Sequence, residues 1–196
     1  MKPYLDHFLI FVLCILFVFL AVPLRAADIS THSFSGCTFP DTAQSAGYTA
    51  TFGEDSDYSS GVSTPSYTIY NPAGISSVTV DNRTGLMWLT NPNTDAGLGA
   101  SKTWGNAVTA CLNLNYAGYT DWRLPNAKEL LSLLVYSQAE VIDHRYFPGL
   151  GSNGYWASTT CAAATSEAWV VSFGSGIAGH YGNTVSYYTT CVRGGP

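Results

Sequence analysis

The stretch from Gly118 to Leu130 constrains the fold more than any other part of this sequence. Asn126 stands where a helix would begin, and Glu129 follows three residues later, which is the spacing of a capping box. Pro125 keeps the preceding chain out of that helix and biases Leu124 towards an extended conformation. The pattern therefore predicts a loop that leads into a capped helix, whose apolar face carries Leu130, Leu131, Leu133 and Leu134.

Trp122 and Arg123 lie just before the predicted cap. A tryptophan next to an arginine favours stacking of the two side chains, which would hold the turn in place. The alternative is a catalytic role for Asp121 or Arg123. We favour an architectural role, because buried aromatic and ion-paired side chains usually serve the fold.

An apolar run of fifteen residues, Phe8–Val22, lies near the N-terminus and is followed by Ala26 and Ala27. This layout predicts a signal peptide over residues 1–27, with cleavage after one of those two alanines. An uncleaved membrane anchor is the alternative, because Leu24–Arg25 is not typical of a cleavage site. We expect a secreted, periplasmic or cell-surface protein that has no stable membrane span after processing.

Four cysteines remain after the signal peptide, and an even number is typical of disulfides formed in an oxidising compartment. They are Cys37, Cys111, Cys161 and Cys191, which the sequence alone can join in three ways. A zinc site is the alternative reading. It is disfavoured because no two of these cysteines have CxxC spacing and none has a histidine beside it. We therefore predict two disulfides and no metal.

The charge of the chain limits its partners. The sequence carries 8 Lys or Arg and 13 Asp or Glu, and residues 1–27 hold Lys2, Arg25 and Asp6. Six basic residues against twelve acidic ones then remain, a net charge of −6. Nucleic acid is not an expected partner, because phosphate binding needs a basic face. The abundance of Gly, Ser, Thr and Tyr suits a loop-rich extracellular domain with short strands.

Residues 28–77 are rich in Ser, Thr, Gly and Tyr and lack helical periodicity, so we predict an N-terminal extension of irregular strands. Glu54–Asp57 carries three carboxylates, and one hypothesis is that they bind a calcium ion. No further Gly and Glu complete a known calcium loop around it. A solvated turn is therefore the preferred interpretation, and no metal or cofactor is predicted.

Six motifs follow one another between about Ser77 and Pro196. They are Asp81–Trp88, Thr103–Ala107 leading to Cys111, Asp121–Pro125 with Glu129–Leu130, Tyr155–Ser158, Ala168–Trp169 with Phe173, and Cys191–Gly195. Together they resemble the Lcl C-terminal domain family, a domain of unknown function named after a bacterial collagen-like surface adhesin. The resemblance implies a C-type-lectin-like fold used outside the cell. One departure is Thr190, since the family usually has an arginine before the final cysteine.

The resemblance also implies that Cys111 pairs with Cys191, joining the first helix to the last strand, and leaves Cys37 for Cys161. The expected fold class is α+β, with two helices flanking one small, mainly antiparallel sheet within residues 78–196. The first helix should begin after Thr103 and continue to about Leu114. Strands are expected at residues 78–80, 86–89, 154–159, 168–173 and 186–193, with a loop or short strand at 177–185.

Loops at about 161–167 and 175–187 are expected on one side of the sheet, where a stapled scaffold commonly carries a binding site. The candidate ligand-binding residues are His180, Tyr181 and Asn183, since tyrosine and asparagine suit sugar stacking and hydrogen bonds to hydroxyls. The Glu-Pro-Asn, Gln-Pro-Asp and Trp-Asn-Asp motifs of calcium-dependent C-type lectins are absent from the sequence. The founding adhesin binds sulfated polysaccharides, yet this chain has no Lys/Arg cluster for them.

We therefore expect a non-catalytic binding or adhesion module of the cell envelope or surface, whose partner is a glycan or a surface protein. One alternative is a structural envelope module without a small ligand. Another is an oxidase related to formylglycine-generating enzymes, which have a related fold and a reactive cysteine pair. His144 is a single histidine between charged residues, and the sequence offers no nucleophile elbow or acid–base set, so we predict no enzyme activity. The sequence sets no oligomeric state.

Overall fold

The computed structural model of the chain describes residues 65–71, 77–136 and 141–194. Within these ranges the chain forms seven strands and two helices. The predicted α+β class is therefore confirmed. The predicted signal peptide, Cys37 and the Glu54–Asp57 cluster lie outside the described residues.

The first sheet is antiparallel and has the strand order β1–β2–β3–β7. Its strands are β1 Tyr67–Tyr70, β2 Val78–Asp81, β3 Leu86–Leu89 and β7 Val192–Gly194. The turn between β2 and β3 is held by Asp81, whose carboxylate accepts hydrogen bonds from Arg83 N at 2.9 Å and Thr84 Oγ1 at 2.7 Å. Gly85 closes this turn at φ 71°, in the left-handed region where a side chain would be strained. The strand β1 lies in the predicted N-terminal extension and pairs with β2.

The second sheet is also antiparallel and contains β4 Gly154–Cys161, β5 Ala164–Ser172 and β6 Ala178–Gly182, in that order. The prediction of one sheet was wrong. The segment expected to close that sheet at 186–193 is a strand only from Val192 onwards. Before that point, Tyr187 and Tyr188 make single bridges to Lys102 and Tyr155. The segment 186–193 thus makes a single bridge to β4 at Tyr188 and pairs with β3 only from Val192 onwards.

The two helices are α1 Trp104–Leu112 and α2 Ala127–Leu131. Thr103 occupies the N-cap position of α1 but makes no side-chain capping bond, and the helix ends two residues before the expected Leu114. The helix α2 has the predicted capping box but only five residues. Leu133 and Leu134 therefore follow the helix rather than line its face, although both are buried.

Two apolar clusters fill the interior, and β3 lies between them. Met87 and Leu89 belong to the first cluster, whereas Trp88 belongs to the second. This division follows from the strand, because successive side chains point to opposite faces. The first cluster contains the Cys111–Cys191 disulfide, which joins α1 to the residue before β7 over a sequence separation of 80. The disulfide implied by the family resemblance is confirmed.

Candidate functional site

We call the segment Asp121–Leu130 the corner, and its side chains bind one another. Trp122 is 1% exposed, and its Nε1 donates to the Tyr116 carbonyl at 3.2 Å. Arg123 does not act through the expected stacking on Trp122; its guanidinium instead donates to both carboxylate oxygens of Glu129, at 2.8 and 2.7 Å. Glu129 also accepts from Asn126 N at 2.8 Å, and Asn126 Oδ1 accepts from Glu129 N at 2.9 Å.

The electrostatics of the corner follow from these contacts. Burial raises the pKa of Glu129, whereas the hydrogen bonds from Arg123 and Asn126 lower it. The hydrogen bonds together outweigh burial, so the pKa lies below its ordinary value. The hydrogen bond to Glu129 raises the pKa of Arg123. At the edge of the corner, the Arg193 hydrogen bond at 2.7 Å lowers the pKa of Asp121. These charges are engaged within the fold, which agrees with an architectural corner.

The β5–β6 hairpin carries two of the three candidate ligand-binding residues. In its register Trp169 lies opposite His180, and Ala168 lies opposite Tyr181. His180 and Tyr181 are neighbours in a strand, so their side chains lie on opposite faces of the sheet. Asn183 follows β6 and is fixed through its backbone, which bonds to Ser166 O at 2.9 Å and Trp104 N at 3.1 Å. The structure thus places His180 and Tyr181 on opposite faces of the sheet, with Asn183 just beyond the strand.

The expected placement of the flanking loops also changes. The turn between β4 and β5 follows Cys161, whereas the turn between β5 and β6 contains Ser175. Consecutive turns of an antiparallel meander lie at opposite ends of the sheet. The Ser175 turn therefore does not emerge beside the loop predicted at 161–167. Asn183, which follows β6, does lie at that end, because its backbone bonds to Ser166. The Ser175 turn is held by Tyr136, whose hydroxyl donates to Gly176 O at 3.0 Å.

A groove of about 310 Å³ lies on the Tyr181 face of the hairpin. We call it the tyrosine groove; it is lined by Gly154, Ser172, Ser175, Ile177, Tyr181 and Tyr187, among others. The ring centroids of Tyr181 and Tyr187 are 5.1 Å apart, and Tyr187 packs edge-on against Trp156 at 5.1 Å. Tyr181 is 45% exposed, whereas Trp156 is fully buried. The rings thus form a row from the core to the surface, and Tyr181 is its exposed end.

Two glycines give these rings their places. A Cβ atom on Gly154 would lie 2.9 Å from Cδ1 of Tyr187 and 2.8 Å from Cγ1 of Val170. A Cβ atom on Gly179 would lie 3.2 Å from Cε2 of Tyr181. Sequence reasoning missed Gly154, Gly179 and Tyr187 as parts of the site. The signal was present, because a glycine inside a strand pattern often marks a close approach of another group.

The tyrosine groove is neutral in the ordinary pH range. Burial, and then the neighbouring Tyr181 phenol, raise the pKa of Tyr187 above its usual value of 10.0. Its hydroxyl therefore stays protonated at neutral pH. No Asp, Glu, Lys, Arg or His is among the described residues that line this groove.

The opposite face of the hairpin carries a second groove of about 340 Å³, which we call the tryptophan groove. It lies between α2 and the sheet and is lined by Ala127, Lys128, Leu131, Thr159, Trp169 and Ala178, with Asn126. His180 lies beside it, with its ring edge-on to Trp169 at 5.5 Å and its Nδ1 hydrogen-bonded to Glu167. His180 is thus engaged by its own sheet and does not face the tyrosine groove.

Cys161 is buried at the end of β4 and is not bonded to either of the other described cysteines, which are joined to each other. Its predicted partner, Cys37, lies outside the described residues, so the second disulfide stays a prediction. Among residues 65–71, 77–136 and 141–194, no three His, Cys, Asp or Glu side chains are grouped so as to hold a metal ion. No helix in the same ranges is long and apolar enough to cross a membrane.

Comparison with protein-family models returns a match to the Lcl C-terminal domain over residues 77–193, which is more than half of the chain. The chain belongs to the Lcl C-terminal domain family. The corner, both grooves and the Cys111–Cys191 disulfide all lie inside the matched Lcl C-terminal domain, whereas β1 precedes it. A comparison with curated proteins found no match.

Proposed function

We propose that this member of the Lcl C-terminal domain family is an exported, non-catalytic binding or adhesion module of the cell envelope or surface. Its partner is a glycan or a surface protein, held in the tyrosine groove. The observation that carries the proposal is the exposed ring of Tyr181, fixed next to Tyr187 over an open groove. Aromatic side chains with one wet end are common at sites that bind other molecules.

The scaffold around the groove supports a binding role. The segment that carries Tyr187 is anchored by two hydrogen bonds between its backbone and that of Lys102, at 2.8 and 3.0 Å. The indole Nε1 of Trp156 donates to Lys102 O at 2.8 Å, which fixes the same junction from the core. A site built on such rigid elements keeps its shape before a ligand arrives, and this reduces the entropic cost of binding.

The state of the cysteines supports a non-catalytic protein. An oxidase of the formylglycine-generating kind works through a pair of reactive thiols, whereas Cys111 and Cys191 are joined to each other. Cys161 is buried, a setting in which even a reduced cysteine is usually inert. A disulfide also favours an oxidising compartment, in line with the apolar run at Phe8–Val22. A C-type-lectin-like fold is part of the proposal and rests on the family resemblance.

The proposal is tested by measuring how much purified, fluorescently labelled mature protein binds to isolated cell envelopes at increasing concentration. Tyr181→Ala is compared with Tyr70→Ala, because Tyr70 is 48% exposed and lies on β1 of the other sheet. We expect saturable binding that Tyr181→Ala weakens and Tyr70→Ala leaves unchanged. Equal binding by both variants would show that the tyrosine groove is not the binding site. Mass spectrometry of the N-terminus checks export, which predicts a chain that starts after Ala26 or Ala27.

A further inference from the structure

We propose that the tyrosine groove binds an uncharged glycan, with the ring of Tyr181 as the platform for one sugar unit. This inference rests on the proposed function, since it names the ligand class of the same groove. Three properties of the groove lead to it: the absence of charged side chains among its described lining residues, the kind of polar groups it offers, and its shallow shape.

None of the charged side chains in the described part of the chain lines the groove. Lys128 belongs to the tryptophan groove, and Arg193 is engaged by Asp121. The hydrogen-bonded pair of Glu167 and His180 on the hairpin lies on the face opposite Tyr181. A sulfate or carboxylate in the tyrosine groove would lose water without gaining a cation, which is strongly unfavourable. The ligand that fits this surface is therefore uncharged.

The polar groups of the groove are hydroxyls. Ser172, Ser175, Tyr181 and Tyr187 each carry one, and a hydroxyl both donates and accepts hydrogen bonds. Ser172 Oγ accepts a hydrogen bond from Ser175 N at 3.4 Å, so its own hydrogen is available for a ligand oxygen. Sugar hydroxyls have the same dual character. The exposed face of the Tyr181 ring complements the apolar C–H face of a sugar.

The shape of the groove separates a sugar from a peptide. Ile177, Gly179 and Tyr181 alternate along one face, which gives a strip about 13 Å long at the usual rise of a strand. Gly179 has no side chain, so the Tyr181 ring lies against the middle of this strip. Ile177 stands 65% exposed at one end. The floor is already filled, since even one carbon added to Gly154 would collide with Tyr187. A strip without a deep pocket suits rings that lie flat, whereas peptides anchor by inserting a side chain.

The test is affinity electrophoresis of the mature, disulfide-bonded protein in native gels that contain dextran, mannan, galactan or hydroxyethyl cellulose. Heparin and an apolar decapeptide coupled to the gel matrix serve as the charged and the peptide probes. We expect retardation by at least one uncharged polysaccharide. Retardation should persist between about 0.05 and 0.5 M salt, because no ionic contact is there to be screened.

The variants locate the binding. Tyr181→Ala should weaken affinity for the uncharged polysaccharide by at least about tenfold, whereas Tyr181→Phe, which keeps the ring, should lose less than about threefold. Tyr70→Ala is the matched control and should behave as the unmodified protein. Retardation by none of the four uncharged polysaccharides, or equal retardation of Tyr181→Ala, overturns the inference.

The result separates this inference from the proposed function. Binding only to the peptide probe, or only to heparin in a salt-sensitive manner, overturns the uncharged glycan as ligand. If envelope binding still depends on Tyr181 in that case, the proposed function stands. If envelope binding does not depend on Tyr181, both the proposed function and the inference about its ligand are overturned.

Discussion

The corner and the tyrosine groove both combine an aromatic ring with polar groups, yet the protein uses them in opposite ways. At the corner Trp122 is buried, and Glu129 accepts hydrogen bonds from Arg123 and Asn126. In the groove Tyr181 is 45% exposed, and its face is left to solvent. The polar groups of the corner are hydrogen-bonded within the fold, so a change there should alter stability. The groove leaves its chemistry available, so a change there should alter binding.

The sharpest way to break this comparison is to remove the disulfide beside the corner. Residue Val192, next to Cys191, forms two backbone hydrogen bonds with Arg123, both 2.9 Å long. Replacing Cys111 and Cys191 by Ala together should lower the free energy of unfolding by roughly 4 kcal/mol, because the bridge closes a long loop in the unfolded chain. Urea denaturation without reductant measures the change. A double variant as stable as the unmodified protein would contradict the chain-entropy argument.

Trp122→Ala tests the architectural role of the corner directly. The ring is 1% exposed and its removal leaves a cavity, so unfolding should become easier by about 3–5 kcal/mol. The measurement is thermal or urea denaturation followed by circular dichroism. Trp169→Ala is a matched control, because Trp169 is only partly buried at the tryptophan groove and should cost less. Similar losses from both variants would show that the corner is not special.

Glu129→Gln tests whether the charge at the corner makes the free energy of unfolding depend on pH. The pKa of Glu129 is lowered in the folded protein, so the unfolded chain binds the proton more tightly. The carboxylate therefore stabilises the protein above its ordinary pKa of 4.5, and this contribution is lost as pH falls through the folded pKa. At pH 7 the variant should be less stable by about 2 kcal/mol, since a charged hydrogen-bond acceptor is removed.

The difference between the unmodified protein and Glu129→Gln should begin to shrink as pH falls below the ordinary pKa of 4.5, and should be lost once pH falls through the lowered pKa of the folded carboxylate. Glu167→Gln provides the control, because its partner His180 is about half exposed and such surface pairs contribute less than about 1 kcal/mol. Urea denaturation at several pH values measures both. A gap between the two curves that does not change with pH would exclude the charge as the cause.

The smallest expected effect on stability is that of Tyr181→Ala. Much of the ring is exposed, so the free energy of unfolding should fall by less than about 0.5 kcal/mol. The same substitution is expected to abolish most of the binding at the groove. The comparison between corner and groove fails if Tyr181→Ala destabilises the protein as much as Trp122→Ala does.

The corner could be predicted from the sequence because its interactions are local. Asn126 and Glu129 are three residues apart, and a capping box depends only on that spacing. The length of α2 could not be predicted in the same way. Leu133 and Leu134 have helical spacing, which predicts a longer helix. Their side chains are nevertheless buried from the turn that follows Leu131, so burial does not require the helix to continue.

The groove was only partly predictable, because it depends on strand register. The sequence predicts a loop or short strand at 177–185 and makes His180, Tyr181 and Asn183 the candidate ligand-binding residues. Once Ala178–Gly182 is a strand, alternation places them on opposite faces. Tyr187 is brought to the groove by its bridge to Lys102, a contact between residues 85 positions apart. Pairing at such distance leaves no local pattern in the sequence.

The strand β1 has a consequence for the smallest unit that folds alone. It pairs with all four residues of β2, and the ring of Tyr67 packs edge-on against Phe147 at 5.0 Å. A fragment that starts at residue 77, where the family match begins, would lack this strand and leave the outer edge of β2 open. The sheet has an open edge with or without β1, but without it Phe147 loses the ring that covers it. We therefore expect the fragment that starts at residue 77 to unfold at a lower urea concentration than one that keeps residues 65–71.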